Sequence, residues 1–258
     1  MAMSDAMVGL GRVDGLYRYP VKSMQGLGVD SFDLGISGIG QDRSRALIDV
    51  ATGKLMSAKR WSMLLFAVAD DVGITLPDGT HRSYDAADLN AVLSAWLGRE
   101  VQLRHVDPDV EVAYEMTFDP PNDDAELFEI PAPPGSFLDL APLHLLTHQT
   151  LRESGRVRPD LNWDVRRFRP NLVVDAPGLS AFGEDAWCGT QLRIGTALVE
   201  AMQPTVRCAM PLRAQPGLEA QPSLFKALDS AHANHLGIYL TVIEPGEIKV
   251  GDRIEVSG

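Results

Sequence analysis

Short apolar runs broken by Gly- and Pro-rich stretches dominate the chain, and they predict strands more often than helices. Arg12–Val21, Ser44–Val50 and Leu64–Ala69 have strand length and carry Val, Ile, Leu, Phe and Tyr. Pro77-Asp78-Gly79, between Gly73–Leu76 and His81, is a turn, because Pro presets φ and Gly accepts a positive one. One segment follows the helical period. Leu89, Val92, Leu93, Trp96 and Leu97 fall on one face, Asp85 is placed to cap the start, and Gly98 to end it in the left-handed conformation. The second half returns to strands at Leu143–Leu146, Asn171–Asp175, Leu192–Met202, Gly237–Ile243 and Glu247–Val256. Between the halves, residues 117–136 hold five prolines and five acids, a composition that disfavours helix and central strand and predicts a linker or surface loop. The expected fold is mainly β with a few helices (α+β), built as a barrel or a compact β-structure.

With 258 residues and 45% hydrophobic content the chain can bury a full core, as one large domain or two small ones. Its 35 acidic and 23 basic residues give a net charge of -12, which argues against nucleic acid or an anionic membrane as partner. No apolar run reaches membrane-spanning length and Met1–Asp5 lacks a basic signal start, so a cytoplasmic protein is expected. Two cysteines, Cys188 and Cys208, are too few for an all-Cys iron–sulfur cluster or a Cys-rich zinc site.

Cys208 follows Pro204-Thr205-Val206-Arg207, and a thiol beside a guanidinium is biased toward the thiolate that binds soft metals or attacks electrophiles. A small buried hydrophobe is the ordinary alternative. Arg166, Arg167 and Arg169 stand just before a strand, either as a phosphate fork or as a charged face paired with carboxylates. Gly35–Gly40 lacks the spacing of a dinucleotide loop and is expected to form turns. His232 and His235 have a metal-compatible spacing without an acidic or thiol companion, so a helix end is expected there.

Together the pieces resemble one family. Tyr19-Pro20-Val21-Lys22-Ser23, Asp42-Arg43 and Ser57-Ala58-Lys59-Arg60 look like the N-terminal β-barrel domain that precedes a MOSC domain. Phe168-Arg169-Pro170-Asn171, Glu184-Asp185-Ala186-Trp187, Arg207-Cys208, Gly237-Ile238-Tyr239 and Lys249–Asp252 look like the MOSC domain itself, in the YcbX-like and mitochondrial amidoxime reducing component branch. The resemblance implies an N-terminal barrel over 8–116, a linker over 117–136 and a MOSC barrel over 137–258. It also implies a molybdenum cofactor (Mo-molybdopterin) with Cys208 as metal ligand and catalytic centre. By matched position, Lys22, Ser23, Lys59, Thr147, Arg169, Asn171 and Tyr239 contact the cofactor, and Arg207 contacts it or favours the thiolate. Pyridoxal phosphate binding is attached to the family at large. The implied reaction is reduction of an N-oxygenated small-molecule substrate, with electrons from a separate donor, a ferredoxin or a flavin or haem reductase. A sulfur carrier with a persulfide on Cys208, or a cofactor-binding protein without turnover, are the alternatives. Val206, Lys59 and Leu212–Gly217 depart from the amidoxime-reducing branch and leave the substrate open. Cys188 matches no ligand position and is expected to be structural.

Overall fold

β1 (Met7–Arg18) opens the chain in a computed structural model that describes residues 7–107, 109, 113–116, 128–131 and 136–257. β2 (Leu27–Val29) hydrogen-bonds back onto β1, and β3 (Ser31–Gly35) turns into β4 (Gly38–Ile39) through the glycine-rich segment expected to form turns. β5 (Arg45–Asp49), β6 (Val68–Ala69), β7 (Gly73–Thr75) and β8 (His81–Ser83) follow, then α1 (Leu89–Leu97) and β9 (Val101–His105). β5 pairs with β9, and β6 to β8 form a meander. Isolated bridges Val21↔Arg45 and Gln25↔Val68 tie these small sheets to the segment after β1, around a core that includes Met24, Leu47, Leu65 and Leu93.

α1 buries Leu89 and Leu93 and stops at Gly98, whose φ of +67° is the left-handed conformation expected of it. Its start differs. Asp88 stands at the cap without a side-chain cap bond because its carboxylate pairs with Arg82, while Asp85 is engaged by Ser83. Leu64–Ala69 is not one strand either: Ser62–Phe66 is a 3₁₀ turn that buries Leu64 and Leu65 together, and only Val68–Ala69 pairs. Within 117–136, β11 (Phe128–Pro131) pairs with β10 (Ala113–Met116) as a hairpin, so this part is neither linker nor loop. Pro131 is accommodated at the strand's end. Residues 117–127 and 132–135 of that stretch lie outside the described residues.

The second half supplies β12 (Leu143–Thr147), α2 (His148–Val157), β13 (Leu172–Asp175), β14 (Gln191–Ile194), β15 (Ala197–Val206), α3 (Ser223–His232), β16 (His235–Glu244), β17 (Gly246–Lys249) and β18 (Arg253–Ser257). β12 and β13 run parallel with α2 as their crossover; the remaining neighbours are antiparallel. The order β13-β12-β16-β15-β14-β18-β1 closes on itself through β13–β1, a barrel of seven strands. Its first stave comes from the far end of the chain. Val13 and Leu16, Leu143 and Leu145, Leu192 and Ile194, and Ile238 and Leu240 point inward, mostly at alternate positions, to fill it. Leu192–Met202 and Glu247–Val256, read as single runs, are each two strands; Gly195 turns the first pair at φ +57°. Among the described residues no helix is long and apolar enough to cross a membrane.

Candidate functional site

Where β1 leaves the barrel, Tyr19–Ser23 runs between the barrel and the N-terminal sheets. Gly26 permits this path, since an added Cβ would lie 2.1 Å from the Arg18 carbonyl oxygen and 2.7 Å from the Tyr19 ring. The Tyr19 hydroxyl donates to the Pro170 carbonyl at 3.1 Å, and the Arg43 and Arg169 guanidiniums lie over its ring, 4.3 and 4.2 Å from the centroid. Burial pushes the phenol up to about 12, so a neutral ring faces two cations.

Ser23, Arg43 and Arg169 have φ values of +69°, +46° and +53°. Left-handed backbone costs a non-glycine residue on the order of 1 kcal/mol, and three such residues gather in one crevice. Each is held by what surrounds it. The Ser23 hydroxyl accepts from the Ala58 N–H at 3.0 Å, and the Lys59 N–H donates to Ser57 Oγ at 3.2 Å, which fixes the turn carrying Lys59. Arg43 pairs with Asp42 and donates to the Arg169 carbonyl at 3.3 Å; Arg169 Nη1 donates to the Met24 carbonyl at 2.6 Å. Burial, followed by the neighbouring Arg43, pulls Arg169 down to about 10, which leaves it charged at neutral pH.

Lys22 and Lys59 converge on Asp139, at 2.5 and 3.1 Å. Lys22 also donates to the Phe137 carbonyl at 2.6 Å. Burial pushes Lys22 down, with Asp139 opposing. Burial works against the Asp139 carboxylate too, but the two ammonium groups outweigh it and hold the acid well below the usual range. Across the crevice, Tyr239 on β16 is pushed up to about 12 by burial, and its phenol also feels Arg207, Asp139, Cys208 and Lys59. Lys59 of the N-terminal half and the thiol of the second half therefore act on one ring. Gly237, at φ +78°, lets β16 approach this closely: a Cβ there would sit 2.4 Å from His144 Nε2.

Cys208 is half-buried and follows the last paired residue of β15, Val206, opposite His235. It belongs to none of the apolar clusters. Cys188, by contrast, packs against the barrel core, and burial followed by Asp185 pushes its thiol up. Lys22, Lys59, Ser23, Arg169, Tyr239 and Cys208 thus gather around the crevice.

Three expected contacts have other work. Thr147 caps α2, accepting from the Thr150 N–H at 3.2 Å and bonding the buried Glu184 carboxylate at 3.0 Å, because it closes a strand where a helix begins. The Asn171 amide is engaged on both sides: Nδ2 donates to Asp42 and to the Tyr17 carbonyl, each at 3.2 Å, and Oδ1 accepts from the His144 N–H. Asn171 therefore holds Asp42 in place. The Arg207 guanidinium donates to the Phe168 carbonyl at 2.8 Å. Of the arginine run, Arg166 pairs with Asp164, and the buried Arg167 donates to the Pro211, Arg213 and Glu219 carbonyls, so only Arg169 reaches the crevice. His232 pairs with Asp185 at 2.6 Å, and among the described residues no group of three or more His, Cys, Asp or Glu forms a metal site.

Sequence reading assigned no role to Asp139 or His144. Asp139 arrives on a loop with no local motif. His144 reads as one more strand residue, yet burial, reinforced by Arg207, keeps it neutral by lowering its pKa well below the ordinary value.

Two family profiles match the chain, one described as the MOSC N-terminal beta barrel domain over residues 10–90 and one as the MOSC domain over residues 135–255. No curated protein matches. Among solved structures, APC1665, the YUAD protein from Bacillus subtilis, is similar at 13% identity and a TM-score of 0.49, over 97% of this chain and 98% of that one. YiiM from Escherichia coli is similar at 20% identity and a TM-score of 0.36, over 48% of this chain and 57% of that one.

Proposed function

The chain belongs to the MOSC family and carries that family's N-terminal β-barrel domain, and from this premise we propose that its crevice binds a molybdenum cofactor and reduces N-oxygenated small molecules. The observation that carries the reading is the charge of the crevice. Among the described residues, Lys22, Arg43, Lys59, Arg169 and Arg207 lie there with the carboxylates of Asp42 and Asp139, in a protein whose net charge is -12. Buried ammonium and guanidinium groups are natural donors to an anion. A phosphate-bearing, thiolate-rich prosthetic group is such an anion, so the donors present fit it.

When bound, the cofactor supplies two-electron, oxygen-accepting chemistry at its metal. Cys208 offers the soft protein ligand. Lys22 and Lys59 would hold the phosphate with ammonium donors, and Arg169 would add a planar one. The Tyr239 phenol stays protonated at neutral pH and holds a proton beside the thiol. Conversion of a hydroxylamine to an amine and water consumes two electrons and two protons. The electrons come from a separate donor protein, a ferredoxin or a flavin or haem reductase, and the protons from solvent.

The test is elemental and pterin analysis of protein made in a host competent in cofactor synthesis, together with intact mass and turnover of an N-hydroxylated base using a chemical reductant. Stoichiometric molybdenum and pterin, lost in Cys208→Ser, and reduction of the base are expected. A one-sulfur mass increment without metal would make the protein a sulfur carrier, and metal without turnover would make it a cofactor carrier.

A further inference from the structure

α3 ends in two consecutive left-handed residues, Ala233 at φ +46° and Asn234 at φ +59°, and neither is glycine. Ala233 closes the helix through its N–H to the Asp229 carbonyl. Asn234 has a second set of contacts. Its side chain Nδ2 donates to the Arg207 carbonyl at 2.7 Å, and its own carbonyl accepts from the Arg207 N–H at 2.9 Å. Both backbone polar groups of the residue before Cys208 are therefore taken by one asparagine. That asparagine is 8% exposed and its N–H bonds the Leu228 carbonyl, so the clamp is anchored in α3. The amide orientation follows from this geometry, because a flipped side chain would set two oxygens against each other.

Arg207 passes the constraint on. Its guanidinium donates to the Phe168 carbonyl and lies 5.7 Å from that ring's centroid, and Phe168 is joined to Arg169. A line of contacts runs from α3 through Asn234 and Arg207 to the backbone that carries Arg169.

We infer that Asn234 is a positioning residue: it fixes the Cys208 thiol relative to the Arg169 guanidinium by clamping Arg207 from both sides. The inference rests on Cys208 being the working thiol of the proposed function, but it concerns the protein without its cofactor. β15 has its last strand pair at Val206. The clamp extends that hold by one residue, to Arg207. A left-handed asparagine supplies what a glycine could not, a side-chain donor reaching back to the strand end, at the strain a non-glycine residue accepts there.

The experiment uses the full chain in a Cys188→Ser background, where Cys208 is the only thiol. Iodoacetamide labelling is followed across pH for the parent, Asn234→Gly and Asn234→Asp, with melting temperature measured beside it. Asn234→Gly keeps the left-handed backbone at no steric cost, so it folds, and removes only the side-chain donor. Its limiting labelling rate rises about fivefold, the factor expected when one hydrogen bond of ordinary worth no longer opposes local opening. Asn234→Asp sets a carboxylate against the Arg207 carbonyl and breaks the same clamp, so its limiting labelling rate rises as well. Labelling of Asn234→Gly that matches the parent at every pH overturns the inference. If the labelling changes as stated while the parent purifies without molybdenum, the positioning role stands and the cofactor reading falls.

Discussion

The barrel interior and the crevice beside it are filled by opposite means. Inside the barrel, Leu145, Val199, Ile238 and Leu240 have no exposure, and each is placed by strand alternation alone. In the crevice, Lys22, Lys59 and Arg169 are buried nearly as deeply, yet each is placed by a contact with a distant segment: Asp139 for the two lysines, the Met24 carbonyl for Arg169. Apolar burial is cheap and self-consistent. Charged burial requires partners, and here left-handed backbone at three residues keeps those partners in register.

The sharpest way to break the contrast is in the barrel. Leu240→Ala leaves a cavity in a closed core and is expected to cost about 2–5 kcal/mol, read from the urea midpoint. Next comes the Tyr19 phenol. Its pKa is raised from 10.0 to about 12, so its contribution to stability is complete below pH 10 and is lost as the pH climbs from there toward 12. The loss is on the order of 2 kcal/mol, measured as a stability slope above pH 10 that Tyr19→Phe lacks. Asp139→Asn removes the carboxylate between two lysines. The Asp139 side chain is 35% exposed, so solvent screens part of the imbalance and about 1 kcal/mol is expected. Inorganic phosphate, supplying an anion to the same lysines, should narrow the gap in melting temperature between that variant and wild type. Smallest is Cys188→Ser, expected within about 1 kcal/mol of wild type and without loss of metal, since this thiol packs against the barrel wall as a small hydrophobe.

The same contrast decided what could be read from residues alone. Short apolar runs between turns made the staves around Leu143–Leu146 and Asn171–Asp175 visible, and the period of Leu89–Leu97 with Gly98 located α1. α2 escaped because His148–Val157 is rich in polar residues and buries Thr150 and Ser154 instead of an apolar stripe. The crevice was legible only where a resemblance named its parts. Lys22 and Lys59 meet at Asp139, Thr147 caps a helix and Asn171 braces Asp42, contacts that no local pattern announces. Asp139 had no local signal, because its meaning lies in two lysines more than 70 residues upstream.

β1 carries a consequence for how the protein comes to exist. Its residues pair with Leu172–Asp175 on one side and Arg253–Ser257 on the other, so this strand finds both neighbours only after the Arg253–Ser257 segment has been made. Until then this stave is laddered only where its Leu16–Arg18 end meets β2, and closing the barrel depends on contacts far apart in the sequence, which form slowly. Expressing either half by itself should yield an open sheet with a raw edge, prone to stick to its own copies.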